Sequence, residues 1–409
     1  MALTNKLSAI GNAIRSKTGT TELMTLDAMP AAIEAIQTGG VGEIPQSALT
    51  ITGDCKYRFA YSGWNWFIEA TRDKLTTKDI TNTSYMFTTN IDLQSIPFEL
   101  NFKDGGGDCD NMFNYCTGLT SIPAIDFKQT STYKDMSSLF EQCTALTQIG
   151  KLSNLYPDGM DNMFDGCSNL RYLPEFENLN LDRIHSYSYS SVSSMFKGCY
   201  SLRSIPEDLL KQLYNPTATG GYYTLFNYGF QNCYALDEIR GLNPQTGTVT
   251  SNMFSNTFDN CHRLKEVIFA TQEDGTPYTV SWKNQVIDLS KQVGYENHTG
   301  AYFKTTHYNA GISPTPLTRV SDATSYQELK NHPDWWTGDG SYGRYNRTSA
   351  VNTINSLPDT SAYLASAGGT NTIKFDRTGF NTDGGSIYHL TEAEIAVAAA
   401  KGWTVTFSS

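Results

Sequence analysis

Met112-Phe113-x-x-Cys116-x-x-Leu119-x-x-Ile122-Pro123 is the stretch that decides the fold, because the chain says it again and again. It returns as Leu139-Phe140-x-x-Cys143-x-x-Leu146-x-x-Ile149 and as Met163-Phe164-x-x-Cys167-x-x-Leu170-x-x-Leu173-Pro174. Further on stand Met195-Phe196-x-x-Cys199-x-x-Leu202-x-x-Ile205-Pro206, Gly229-Phe230-x-x-Cys233-x-x-Leu236-x-x-Ile239 and Thr257-Phe258-x-x-Cys261-x-x-Leu264-x-x-Val267. Upstream, Met86-Phe87 with Leu93-x-x-Ile96-Pro97 is a seventh copy, with Asn90 where the others have cysteine.

The copies lie 24 to 34 residues apart, near the period at which one supersecondary unit stacks on the next in a solenoid. Met112, Cys116 and Leu119 are four and then three apart, which predicts one face of a short helix or helical turn. The Leu-x-x-Ile-Pro tail predicts a turn into a short strand, since proline is confined to strand ends and edges. Stacking then aligns Phe, Cys, Leu and Ile in buried rows. The cysteines come singly, without a C-x-x-C pair or a histidine at ligand spacing, so they read as core thiols and not as a metal site. Parallel side chains one strand spacing apart, roughly 5 Å, do not present the geometry a disulfide needs.

The whole phrase resembles the BspA-like class of leucine-rich repeat, found in bacterial surface proteins and phage structural proteins. The resemblance implies the fold class: an α/β repeat, a leucine-rich-repeat solenoid with a short N-terminal helical segment and capping elements at both ends. Such repeats are scaffolds for unrelated functions, so the fold names no ligand.

The remaining chain divides around that body. Leu3, Leu7, Ile10 and Ile14 mark one amphipathic face, and Met29, Ile33 and Ile36 a second, so residues 1–38 are expected to form a small helical attachment segment that docks on a partner. The wording Ile10-x-x-Ala13-Ile14-Arg15-x-Lys17-Thr18-Gly19, with Met24-Thr25-x-x-x-Met29-x-x-Ala32-Ile33, is similar to the opening of many phage tail, baseplate and fibre proteins. Residues 39–80 alternate and are rich in aromatics, including Tyr57-Arg-Phe-Ala-Tyr61 and Trp64-Asn-Trp66, and predict a β-rich N-terminal cap. The repeats fill 81–290, an irregular aromatic-rich insert 291–349, and a repeat-like cap 350–409. That last part offers Ile354-x-x-Leu357-Pro358, a capping box at Thr391-Glu-Ala-Glu394 and a Gly402 stop. Its wording also resembles the terminal segment of phage proteins that bear these repeats.

Composition narrows the function classes. A net charge of −11 and a pI near 5.0 argue against a nucleic-acid partner, which calls for a basic face. No signal peptide and no membrane-spanning run is visible, which weighs against an exported adhesin. Phosphate-binding, dinucleotide, G-x-S-x-G and H-E-x-x-H motifs are missing, and His185, His262, His298, His307, His332 and His389 are scattered. Asp104-Gly-Gly-Gly-Asp108-Cys-Asp110 offers hard oxygen ligands but departs from the calcium-loop pattern. No catalytic residue, cofactor or metal is therefore expected.

Together the resemblances imply a virion structural protein of a tailed bacteriophage, a tail-fibre or baseplate component with no enzymatic activity. Its implied partners are other virion proteins through the N-terminal segment, copies of itself in a homo-oligomer for which the resemblance favours a trimer, and a host-surface glycan or protein. Alternatives are a capsid-attached fibre or decoration protein, a bacterial surface adhesin, and a polysaccharide depolymerase whose carboxylate pair needs no motif. Receptor contact is expected at exposed aromatics on long inserts: Tyr187, Tyr189, Tyr222 and Tyr223 between repeats, with Trp335 and Trp336 in the C-terminal insert.

Overall fold

A computed structural model describes residues 49–61, 68, 74–130, 134–181, 192–213, 227–244, 248–261, 264, 266–290, 302–304, 318–320, 347–375 and 390–407. Residues 1–48, and with them the expected attachment segment, lie outside this set, as do Trp64 and Trp66.

The repeated phrase folds into consecutive tight turns, not a helix. Around Phe113 the backbone N–H groups alternate in what they bind. Met112, Asn114 and Cys116 donate within the copy, to the carbonyls of Cys109, Asn111 and Phe113 at 3.2, 3.2 and 3.0 Å. Asn111, Phe113 and Tyr115 donate to the next copy, to the carbonyls of Ser137, Leu139 and Glu141 at 2.9, 3.0 and 2.8 Å. The residues two before and two after each Phe take positive φ, as at Asn111 (55°) and Tyr115 (58°). That left-handed kink every fourth residue stops a helix from propagating, which the four-and-three apolar spacing alone does not reveal.

Stacking follows from this alternation. Phe87, Phe113, Phe140, Phe164, Phe196, Phe230 and Phe258 form a continuous column with ring centroids 5.2 to 6.0 Å apart. The column begins one copy earlier than the sequence phrase: Phe59 stacks on Phe87 at 5.6 Å, and Tyr57, Phe59 and Tyr61 donate to Ser84, Met86 and Thr88. Tyr57–Tyr61, expected as a strand of the cap, is thus an eighth copy of the turn. Its sequence departs from the phrase, since Arg58 replaces the Met and no Cys-x-x-Leu follows.

Short parallel strands join the copies on their other sides. The pairs are β1 (Thr50–Asp54) with β2 (Thr76–Asn82), β3 (Ser121–Ile122) with β6 (Gln148–Ile149), and β5 (Lys134–Asp135) with β8 (Pro157–Gly159). β4 (Ile125–Asp126), β7 (Leu152–Leu155) and β9 (Phe176–Leu179) run side by side. Helix α1 (Glu207–Gln212) precedes the pair β10 (Glu238–Leu242) and β11 (Glu266–Phe269). β12 (Val286–Asp288) then leads, past the short antiparallel pair β13 (Tyr302–Lys304) and β14 (Thr318–Val320), to the C-terminal elements. These are α2 (Arg347–Ser356), α3 (Ser361–Ala367), β15 (Asn371–Phe375), α4 (Glu392–Ala400) and β16 (Trp403–Phe407), with β15 paired in parallel to both β12 and β16. Thr391 caps α4: its hydroxyl accepts the Glu394 N–H, and the Glu394 carboxylate accepts the Thr391 N–H at 2.8 Å. Gly402, at φ 80°, supplies the left-handed residue that ends the last turn.

The lone cysteine of each copy has a structural reason. Cys143 Sγ donates to the Phe113 carbonyl at 3.1 Å, and that carbonyl also accepts the Cys116 N–H. The same thiol-to-Phe contact recurs at 3.0 to 3.1 Å for Cys116, Cys167, Cys199, Cys233 and Cys261. A small, weakly polar donor thereby occupies the second lone pair of a buried carbonyl without opening a void. In the one phrase copy without cysteine, Asn90 Nδ2 reaches the Phe59 carbonyl at 3.4 Å, but its Oδ1 is buried with no hydrogen-bond partner. Asn90→Cys is therefore expected to stabilise the protein by roughly 1–3 kcal/mol, because it removes an unsatisfied buried acceptor and keeps the donor. Chemical denaturation checks this; a loss of stability would contradict the role given to the thiol.

Candidate functional site

Tyr187, Tyr189, Tyr222, Tyr223, Trp335 and Trp336 all lie outside the described residues, as do the six histidines. The described residues bring forward a different set of aromatics, which the turn geometry positions.

Each copy holds two left-handed positions, two residues to either side of its Phe. Asn or Gly fills many of them: Asn111, Asn162, Asn232, Asn256 and Asn260, with Gly166 and Gly198. These residues meet the conformation at least cost. Tyrosine stands there five times, as Tyr57 (φ 59°), Tyr61 (71°), Tyr85 (58°), Tyr115 (58°) and Tyr228 (56°). A bulky residue in this region carries strain on the order of 1 kcal/mol. Burial does not offset it, since Tyr61 is 63% and Tyr115 48% exposed.

Four of the five fall in the first three copies and form a patch. Tyr57 stacks on Tyr85 with centroids 4.8 Å apart, and Lys56 Nζ lies 5.6 and 5.8 Å from the two rings, within cation–π range. Tyr61, Thr89 and Tyr115 occupy the equivalent position in successive copies, linked by Tyr61 N–H to Thr88 and Thr89 N–H to Asn114. Tyr61 and Tyr115 are thus two strand spacings apart, roughly 10 Å, with exposed Thr89 between them. Burial, then the nearby Asp110, Tyr57 and Asp135, raise the Tyr85 phenol, which stays neutral. Later copies continue the face with polar ladders, such as Asn114 Nδ2 to Glu141 Oε2 at 2.9 Å and Lys197 to Asp165 at 3.2 Å. There burial pushes the Asp161 and Asp165 carboxyls up to about 6, with the Ser193 N–H and Lys197 pulling the other way.

The glycine run after Asp104 is explained by packing. A Cβ on Gly107 would lie 2.2 Å from the Thr81 carbonyl oxygen, and one on Gly106 (φ 61°) 2.6 Å from that of Phe127. The run lets the loop lie against neighbouring copies. Among the described residues no three His, Cys, Asp or Glu side chains are placed to hold a metal ion. No helix among them is long and apolar enough to cross a membrane.

Residues 56–172 and, overlapping them, 107–218 match the family DUF285, described as a Mycoplasma protein of unknown function. That match is to a BspA-like repeat family. It starts at the copy around Phe59, which the sequence phrase had missed, and ends before Phe230 and Phe258. Those two copies nevertheless keep the same turn, ring column and thiol contact as the matched ones. No curated protein matches the chain.

Proposed function

We propose that this protein is a structural component of a tailed-phage particle, in tail-fibre or baseplate position, whose leucine-rich-repeat solenoid holds the tyrosine patch toward the host surface. The observation that carries this reading is five tyrosines at backbone positions where asparagine or glycine costs less, among them Tyr61 and Tyr115 with their rings exposed. Strain without a packing return is the mark of a site kept for recognition. Tyrosine suits such a site because it lends large, rigid area at low entropic cost and keeps a polar tip. The resemblance of both chain ends to phage structural proteins supports the location.

Mass spectrometry of purified virions tests the location, and recovery in a bacterial envelope fraction instead would point to an adhesin. The patch is tested by the double variant Tyr61→Asn, Tyr115→Asn. Thermal stability is expected to hold or rise by up to about 1 kcal/mol as strain is relieved, while adsorption of the particle to its host weakens. Unchanged adsorption with lowered stability would make the rings packing elements and not contacts.

A further inference from the structure

The parallel pair β10–β11 turns one face toward a groove walled by α1 on one side and α2 on the other. Two adjoining clefts of about 510 and 320 Å³ share Arg240, Ile268 and Thr271. Gly241 (φ 83°) admits the α1 wall, since a Cβ there would lie 2.6 Å from Glu207 Cγ. On the other side Glu266 of β11 accepts the Asn352 amide of α2.

The basic groups in this groove are paired with carboxylates, and Glu273 adds a further carboxylate to the lining. Arg240 Nε donates to Glu238 at 3.0 Å and its Nη2 to Glu266, while Lys211 pairs with Glu207 at 2.7 Å. The guanidinium thus offers no uncompensated charge to a phosphate, a sulfate or an acidic sugar, yet those two bonds use only two of its five N–H donors. The walls add amides and hydroxyls from Asn355, Gln272, Thr271 and Ser356, and Tyr278 brings a phenol ring. Amide and hydroxyl groups, one aromatic ring and a surplus of carboxylates, which accept hydroxyls and repel anions, match a polyhydroxylated neutral ligand, and the volumes fall within the range of small-molecule sites.

We infer that the groove centred on Arg240 binds a short neutral oligosaccharide. This deepens the recognition role proposed above and rests on it only for where the sugar comes from. Isothermal titration of the purified full-length chain with maltotriose, chitotriose and the acidic comparator sialyllactose tests it apart from any virion. Saturable binding of a neutral trisaccharide is expected, with sialyllactose at least ten-fold weaker. Thr271→Trp places an indole where both clefts meet, at an exposed position, and is expected to weaken that binding at least ten-fold with melting temperature unchanged. Tyr61→Asn, Tyr115→Asn is expected to leave it intact. No saturable neutral-sugar binding, preference for sialyllactose, binding unaltered by Thr271→Trp, or loss through the tyrosine variant would each overturn the assignment. None of these outcomes bears on whether the protein is found in virions.

Discussion

Phe164→Ala is expected to destabilise the protein by roughly 3 to 5 kcal/mol. The ring is fully buried, between Phe140 at 5.7 Å and Phe196 at 6.0 Å. Truncation removes two stacked aromatic contacts, each worth about 0.5–1.5 kcal/mol beyond the area buried. The void has little chance to collapse. Phe140 N–H to the Met163 carbonyl at 2.9 Å and Phe164 N–H to the Met195 carbonyl at 3.0 Å fix the spacing of the copies on both sides, and partial collapse is what makes some cavities cheap. Urea denaturation followed by fluorescence reads the effect, and a change under about 1 kcal/mol would mean that the column does not hold the copies together. Because each copy touches mainly its neighbours, damage in the middle of the stack breaks two interfaces at once.

How far the sequence foretold this arrangement depends on which residue carried the signal. Phe, Cys, Leu and Ile recur at fixed spacing, so the buried rows were legible from the chain alone. The left-handed kinks are only partly written there, as asparagine or glycine two residues from the Phe in the copies around Phe113, Phe164, Phe196, Phe230 and Phe258 and in none around Phe59, Phe87 or Phe140, and the apolar spacing is equally compatible with a helix. Phe59 was hidden because its copy keeps little else of the phrase: Arg58 is exposed where Met112 and Met163 are buried. The tyrosine patch could be found only once φ was known, since Tyr61 and Tyr115 look like any loop aromatic until their backbone strain is seen. The groove was beyond sequence reasoning, because it joins residues from 207 to 278 with residues from 352 to 356, and no pattern in either stretch points to the other.

Thiol chemistry offers the second large effect. All eight cysteines are free and buried. Burial pushes Cys116 and Cys109 up to about 12 and Cys143, Cys199 and Cys233 well above the ordinary thiol range. Only the thiolate attacks a disulfide reagent, so a rise from about 8.5 to about 12 lowers its population at pH 8 by roughly a thousand-fold or more. Steric closure adds to this, since Cys116, Cys143, Cys167, Cys199, Cys233 and Cys261 have no exposed surface and point their S–H at a carbonyl of the preceding copy. In the native protein these six are expected to resist an aromatic disulfide reagent for hours, and to react within minutes in denaturant. Labelling would then proceed at the rate at which the stack opens. Cys55, in the first described copy and raised only to about 11, is expected to label first. Rapid native labelling of a central cysteine such as Cys167, or an intact mass two daltons low for each linked pair, would contradict the thiol-to-carbonyl contact. If labelling tracks opening, the row explains how a protein with eight cysteines keeps them apart in an oxidising medium. Each of the six sulfurs is committed to a backbone oxygen one copy away, while Cys55 and Cys109 turn to the carbonyls of Gly53 and Gly107 two residues back, so sulfurs in the row can meet only after their copies have come apart.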